Sequence, residues 1–245
     1  MGLLKIIKMS TKSNYTSTDI QSIFNRIAPV YDQLNDDLSF GIHWVWKQMT
    51  VSWSGAKLGD TCLDLCCGSG DITQLLAKQV GNTGTVIGAD FAPAQLENAA
   101  AKITRIYPPL TQINWVEADA LNLPFGDNYF DAATMGYGLR NVIDIPLCLQ
   151  ELYRVLKPDT KVAILDFHRP HSHLIRRFQQ WYLDAIVVPN ATKLGMMDEY
   201  AYLNPSLDRF PCGQEQVKLG LETGFSQAVH YSIAGGMMGL LVLTK

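Results

Sequence analysis

The sequence has no surplus of basic charge, no paired-cysteine metal motif, no long apolar run and no third glycine in its glycine-rich turn. Each absence closes off a class of function. Lysine and arginine number 20 against 23 aspartates and glutamates, a net charge of −3, whereas a nucleic-acid partner usually needs a basic stripe. No stretch approaches the ~18 consecutive apolar residues of a bilayer-spanning helix. The opening Met1–Lys8 has too short an apolar core for a secretory signal, and Ile6 stands where a myristoylation pattern needs Ser or Thr. The five cysteines form no Cys-x-x-Cys pair, and Cys66 and Cys67, as strand neighbours, would point to opposite faces. Buried, reduced thiols in a reducing, cytoplasmic compartment are therefore expected, with no metal. His171 and His173 have metal-like spacing but no accompanying carboxylate or thiol ligand. There is no internal repeat or low-complexity segment.

What remains is the composition of one full-sized core: 245 residues, 47% hydrophobic and 18% charged. From Thr61 onward strand and helix patterns alternate: strand 61–67, helix 71–80, strand 85–90, helix 93–106, strands 112–118 and 129–135, helix 145–156, strand 160–167. Such alternation means an α/β fold, a parallel sheet with helices on both faces. A long helix is expected over 171–188, carrying Phe178, Trp181, Tyr182 and Ile186, and another over 213–223. Segments 225–233 and 238–243 flank a Gly235-Gly236 turn and read as a closing antiparallel hairpin. Ahead of the sheet, residues 1–17 read as a flexible N-terminus and 18–58 as a helical substrate cap, leaving 59–245 as the main domain. Within the cap, Ile20, Ile23, Phe24 and Ile27 have helical spacing behind a Thr18/Asp19 cap. A second helix, Ile42 to Trp53, carries Trp44, Trp46 and Trp53, taken as packing residues.

The most informative run is Thr61 to Asp71, a buried strand that breaks into Gly68-Ser69-Gly70 as a helix opens. The next strand delivers Asp90 to the same sheet edge, where a carboxylate can take both hydroxyls of a ribose. A nucleoside-containing cofactor follows. A dinucleotide fingerprint needs a third glycine at position 73, which is Thr73. The terminal hairpin, and Glu117-Ala118-Asp119-Ala120 with an acid placed for an adenine amino group, favour S-adenosylmethionine instead. The expected fold is that of a class I S-adenosylmethionine-dependent methyltransferase, Rossmann-like, with a seven-stranded, mostly parallel sheet and an N-terminal helical cap. A nicotinamide dehydrogenase is the alternative.

Four blocks resemble the quinone C-methyltransferase family of ubiquinone, menaquinone and phylloquinone biosynthesis. They are Phe24-Asn-Arg-Ile-Ala-Pro-Val-Tyr31-Asp32-x-Leu-Asn35-Asp36 with Gly41-Ile-His43 and Trp46-Lys47; Asp64-Leu-Cys-Cys-Gly68-Ser69-Gly70-Asp71; Gly136-Tyr-Gly-Leu-Arg140-Asn141-Val142-x-Asp144 with Tyr153-Arg-Val-Leu-Lys-Pro158; and Tyr200-x-Tyr202-Leu203 with Ser206, Phe210-Pro211 and Gly224-Phe225. The likeness covers about residues 20–245. Cys-Cys-Gly-Ser-Gly-Asp, Asp166-Phe-His-Arg-Pro170 and Ser206-Leu-Asp-Arg-Phe-Pro211 look most like the cyanobacterial and plant branch, which methylates 2-phytyl-1,4-naphthoquinol. Two departures stand out. Gly136 replaces a frequent Ser, so a cofactor contact there would run through backbone, and Asp159 replaces the usual Gly after Lys157-Pro158.

The resemblance implies S-adenosylmethionine as cofactor and a phytylated or prenylated quinol as substrate. Asp64, Gly68, Ser69, Gly70, Asp90, Phe91, Asp119, Ala120 and Gly136 are the expected cofactor residues; Asp64 could instead bond loop amides. Arg140 would stabilise the quinol oxyanion as it develops, Asn141 would orient the ring or a water, and Tyr31 would bond a quinol oxygen from the cap. The competing role for Arg140 is an ion pair with Asp144. The proton acceptor stays open among water, His43, Asp32 and His168. An isoprenoid tail implies transient contact with a membrane surface, such as the thylakoid, by an otherwise cytoplasmic enzyme, and Arg176 and Arg177 mark the helix suited to it. That helix could equally pack on the sheet. Menaquinol or benzoquinol substrates, a non-catalytic cofactor-binding partner, and a homodimer all stay open at this point.

Overall fold

The computed structural model describes residues 16–28, 41–170, 172–187, 189 and 203–245. Strands β1 (Thr61–Leu65), β2 (Thr85–Asp90), β3 (Ile113–Glu117), β4 (Phe130–Gly136) and β5 (Leu156–Phe167) run parallel, and β6 (Gln227–Ile233) and β7 (Met238–Thr244) complete the sheet. The order is β3-β2-β1-β4-β5-β7-β6, with β7 antiparallel to both neighbours. This is the expected seven-stranded sheet. Its order reverses between β1 and β4, so the loops leaving those two strands diverge and open a crevice at their carboxyl ends.

Alternation along the strands builds a core on each face. Leu63 and Leu65 of β1 point one way, joining Ala133 and Met135 of β4 and Leu149 and Leu152 of helix α5 (Ile145–Val155). Cys62, Val86 and Ala132 point the other way, onto Ile72, Leu76 and Val80 of α3 (Asp71–Val80) and Val51 of α2 (His43–Ser54).

The segment expected to form a cap contributes two described helices. Helix α2 lies against β4, β5, β7 and α3 as a layer of the sandwich. Its Trp46 and Trp53 pack beside Ala163, Leu165 and Leu240, and Trp53 meets the edge of Tyr231 at 4.0 Å. Among the described residues of this segment, those of α1 (Ser17–Ile27) overlie the crevice, packed on α4 (Pro93–Ile103). The cap of α1 is Thr16, two residues earlier than expected: its hydroxyl accepts from Asp19 N–H at 3.2 Å while the Asp19 carboxylate takes Thr16 N–H at 2.9 Å.

Three further differences are local. Helix α6 (His173–Tyr182) passes into a π turn, Leu183–Val187, short of the long α-helix expected. It turns Gln179 inward, onto the His168 carbonyl at 2.9 Å, and leaves Leu174, Phe178 and Trp181 exposed. A short helix α7 (Leu203–Arg209) was not anticipated and precedes α8 (Gly213–Thr223). Finally, β5 begins at Leu156, opposite Phe130, but its register jumps so that Ala132 faces Lys161; the Lys157-Pro158-Asp159 turn is a bulge inside the strand.

Candidate active site

The crevice is a cleft of about 700 Å³, open to solvent, with Asp90, Phe91, Asp119, Ala120, Gly136 and Asn141 on its sheet side. Ile20 and Phe24 of α1 form the opposite wall. Its apolar walls with a few convergent carboxylates and amides suit a nucleoside-containing ligand. Asp90 closes β2 and knits two loops together: Oδ2 accepts from Gly68 N–H at 2.8 Å and Oδ1 from Ala92 N–H at 2.9 Å. Burial raises its pKa against the pull of the Ala92, Gly68 and Phe91 amides. A carboxylate has about four acceptor positions, so lone pairs remain for ribose hydroxyls. Asp119 is exposed at the β3 tip, with Oδ1 accepting from Leu121 N–H at 2.9 Å.

Two non-glycine residues on the cleft wall, Cys66 (φ 55°) and Tyr137 (φ 61°), hold left-handed backbone at the tips of β1 and β4. Such strain is characteristically concentrated at functional sites. Gly70, expected among the cofactor residues, also meets a packing constraint. At φ 80°, a Cβ there would lie 2.5 Å from Trp115 Cη2, so glycine is needed for packing onto β3. Gly70 lines neither the cleft nor the smaller space beside it.

That second space, about 340 Å³, shares Cys66, Gly68, Gly136 and Tyr137 with the cleft and continues to Asp64, Ser69, Asp71 and Lys47. Asp64 is buried and bonded to two threonine hydroxyls and to the Thr73 backbone amide in the first turn of α3. Thr73 Oγ1 donates to it at 2.6 Å and Thr134 Oγ1 at 2.8 Å. Burial pushes its carboxyl up to about 7. Thr73, the residue in place of a third glycine, thus anchors the acid of the β1 strand. Lys47 donates to Asp71 at 2.5 Å, and Lys102 pairs with the other Asp71 oxygen. Burial works to raise Asp71, but the two lysines outweigh it and hold the carboxyl below its usual range. This triad was missed in the sequence because nothing there shows that the helix carrying Lys47 packs on α3.

The residues expected to act on substrate separate. Asn141 lines the cleft; its Nδ2 donates to Tyr137 O at 3.0 Å, while its buried Oδ1 has no partner among the described residues. Arg140 does not line it. The guanidinium is buried, with Nη1 2.7 Å from Asp166 Oδ1 and Nε 3.0 Å from Ser206 Oγ. Its pairing with Asp144 does not occur either, because Asp144 caps α5 through Leu147 N–H at 3.0 Å. Burial raises the Asp166 carboxyl against the pull of Arg140. Tyr31, Asp32 and His171 lie outside the described residues. Neither His43 nor His168 lines the cleft; His168 Nε2 sits 3.2 Å from both Gln216 Nε2 and His230 Nε2. The thiols are unpaired, and burial lifts Cys66 and Cys67 well above the usual thiol range and Cys62 and Cys148 to about 12.

A sheet of this order, carrying a ribose-type acid at β2 beside a glycine turn at β1, defines the S-adenosylmethionine-dependent methyltransferase fold. Among solved structures, the chain is similar to a methyltransferase of that type from Aquifex aeolicus (20% identity, TM-score 0.58, covering 81% of this chain and 88% of that one). It is also similar to the [4+2]-cyclase SpnF (16% identity, TM-score 0.61, 96% and 98%), so the fold alone does not fix the reaction. Residues 9–245 match the model of the ubiE/COQ5 methyltransferase family, and the chain belongs to that family. It is an S-adenosylmethionine-dependent methyltransferase. Among its relatives are 2-phytyl-1,4-naphthoquinone methyltransferase of Trichormus variabilis (62% identity, 94% of this chain, 100% of that protein) and the chloroplastic 2-phytyl-1,4-beta-naphthoquinone methyltransferase of Arabidopsis thaliana (52%, 94%, 88%). No helix among the described residues is long and apolar enough to cross a membrane.

Proposed function

We propose that the chain transfers the methyl group of S-adenosylmethionine to a ring carbon of 2-phytyl-1,4-naphthoquinol, the methylation that leads to phylloquinone. The observation that carries this reading is the 62% identity to the Trichormus enzyme over that enzyme's whole length. In this reading Asp90 takes the ribose hydroxyls, Asp119 and Ala120 meet the adenine edge, and Phe91 backs the nucleoside. Gly68, Ser69 and Gly136 border the reacting end, Gly136 through backbone. Asp64 shapes that border through Thr73 and Thr134, and Gly70 sets the loop's path.

The bound cofactor supplies an electrophilic methyl group; the protein must make a ring carbon nucleophilic and exclude water. A phenolic hydroxyl has a pKa near 10, and each unit by which a site lowers it corresponds to about 1.4 kcal/mol of phenolate stabilisation. The buried, unpartnered Oδ1 of Asn141 accepts from the neutral quinol hydroxyl and so orients the ring without stabilising its phenolate; the hydroxyl proton, and the ring proton that the methyl group replaces, leave to water at the open side of the cleft. Arg140 works one layer back. Its ties to Asp166 and Ser206 fix the Leu139–Asn141 turn that presents Asn141. Tyr31, which lies outside the described residues, keeps its proposed role of bonding a quinol oxygen. Ile20, Phe24, Val142 and Ile143 give the cleft apolar walls, which suit an aromatic ring and shield the step from solvent.

A phytyl tail resides in a bilayer, and α6 offers a surface for it. Leu174, Phe178 and Trp181 fall at i, i+4 and i+7 on one face, all exposed, with Arg176 and Arg177 on the same helix. We propose transient docking of this face on anionic lipid by an enzyme otherwise in the aqueous phase. Sedimentation with phosphatidylglycerol vesicles is expected to fall several-fold in a Phe178→Ser, Trp181→Ser variant. Equal sedimentation of the two proteins would refute it.

The test of substrate is an assay with labelled S-adenosylmethionine and, side by side, reduced 2-phytyl-1,4-naphthoquinone, reduced demethylmenaquinone and a demethyl benzoquinol. Label is expected in the phytyl naphthoquinol. Preferential labelling of either other quinol would replace the proposed substrate, and labelling of none would point to a non-catalytic binding partner.

A further inference from the structure

Resting on the reading that the cleft takes S-adenosylmethionine, we infer that Gln95 is a further cofactor-binding residue, its Oε1 accepting a ribose hydroxyl beside Asp90. The sequence assigned Gln95 no role. In the fold it belongs to the first turn of α4, the helix on which α1 packs.

Among the described residues, Asn141 and Gln95 are the cleft-wall residues that carry a buried amide oxygen without a partner. Both amides are fixed in the same way, through the nitrogen. Asn141 Nδ2 holds Tyr137 O at 3.0 Å, and Gln95 Nε2 holds Phe24 O at 3.2 Å. With its nitrogen tied to a carbonyl, the amide cannot turn over without losing that bond, so the oxygen stays in place as an acceptor. Gln95 is 1% exposed, and an acceptor buried to that degree without a donor is unfavourable. Holding α1 does not account for it. Gln21 Nε2 on Phe91 O, Asn25 Oδ1 accepting from Ala94 N–H at 3.2 Å and Asn98 Nδ2 on Ala28 O at 3.0 Å join α1 to the same region, and none of these three leaves a buried orphan.

The missing donor belongs to the ligand, and the neighbours of Gln95 point to the ribose. Ala92 N–H is bonded to Asp90 Oδ1 at 2.9 Å, and Gln95 N–H to Ala92 O at 3.0 Å, so Gln95 stands one turn of chain from the Asp90 carboxylate. That carboxylate already receives the amides of Gly68, Ala92 and Phe91, and its roughly four acceptor positions leave little for two hydroxyls. A second, neutral acceptor beside it completes the set. The same amide then joins the nucleoside to α1, whose Ile20 and Phe24 form the opposite wall. The alternative, an amide whose only task is to tie α1 to α4, would not distinguish ligands with and without a ribose hydroxyl.

Calorimetry on the whole chain separates the two, with S-adenosylhomocysteine, its 2′-deoxy and 3′-deoxy analogues and S-inosylhomocysteine as probes. Gln95→Met is expected to bind S-adenosylhomocysteine about 2- to 10-fold more weakly than the wild-type chain does, the range for one neutral hydrogen bond. S-inosylhomocysteine, which keeps both hydroxyls, should lose as much. At least one deoxy analogue should bind the two proteins alike: the hydroxyl that the amide accepts is already gone, and the other three contacts keep α1 in place. Its unchanged binding also certifies that the variant is folded. Equal weakening of all four ligands, or of none, would overturn the inference and leave Gln95 a tie between helices. Weakening of both deoxy analogues with S-inosylhomocysteine spared would overturn it as well, moving the amide to the adenine amino group. If the wild-type chain bound none of the four probes, the cofactor reading itself would fall and this inference with it.

Discussion

Arg140 and Asp166 meet at two points: Nη1 lies 2.7 Å from Oδ1, and the Arg140 backbone N–H donates to Oδ2 at 2.9 Å. One carboxylate therefore fixes both the side chain and the backbone of the turn that carries Asn141. Removing it as Asp166→Ala strands a buried guanidinium, at an expected cost of about 3–5 kcal/mol, measurable as a lowered urea midpoint. Below that midpoint, turnover is expected to fall with S-adenosylhomocysteine affinity retained, because Asp90 and Asp119 belong to other strands. An unshifted midpoint would show that the pair does not hold the turn.

Asn141 presents the counterpart experiment inside the cleft. Its Oδ1 is buried without a partner while Nδ2 is bound to Tyr137 O, the pattern of an acceptor reserved for a ligand. Asn141→Leu keeps the volume and deletes the acceptor. The expected outcome is a loss of about fivefold to tenfold in kcat/KM for the quinol, the worth of one neutral hydrogen bond, with cofactor affinity unchanged by calorimetry. Loss of cofactor affinity instead would move Asn141 to the adenosine side.

Asp64 makes stability depend on pH. Its folded pKa of about 7 lies above the ordinary aspartate value of about 3.9, so between those limits the folded chain keeps a proton that the unfolded chain releases. Stability is therefore greatest below about pH 4 as far as this group is concerned, and declines as pH rises toward 7, levelling beyond it. Asp90 and Asp166 are raised by burial too and add to the same slope. Denaturation at pH 5 and pH 8 should show a smaller difference for Asp64→Asn than for the wild-type chain. Identical differences would mean that Asp64 is ionised throughout.

The frame of the molecule was readable because its signals are local. Alternating apolar runs gave β2 at its observed bounds, and Gly70 and Gly224 bounded α3 and α8. Asp90 could be placed because any acid closing the strand beside the glycine turn must reach the crevice. What could not be read depends on contacts far apart in sequence. Arg140 was expected to stabilise the quinol oxyanion, with an ion pair to Asp144 as the competing role, whereas the fold brings Asp166 and Ser206 to it. Trp115 is the unseen reason for Gly70. Lys47 was given no role because nothing in the α2 sequence says which sheet face the helix will cover. Amide side chains tying α1 to α4, such as Gln95 Nε2 on Phe24 O at 3.2 Å and Asn98 Nδ2 on Ala28 O at 3.0 Å, were equally invisible.

Asp159 tests one of those local signals directly. It takes φ 61° in the bulge of β5, a left-handed conformation that costs a non-glycine residue roughly 1–2 kcal/mol, somewhat less for Asp, which tolerates it. Its backbone N–H donates to Lys245 O at 3.3 Å, a bond that glycine would keep. Asp159→Gly relieves the strain but loosens the unfolded chain, which offsets part of the gain. The net expectation is a stabilisation of about 0.5–1 kcal/mol, read as a raised urea midpoint with unchanged slope. Methyl transfer should be unaffected, since the bulge lies at the end of β5 away from the crevice. A destabilised variant would mean that the aspartate side chain, rather than the backbone angle, is what this turn requires.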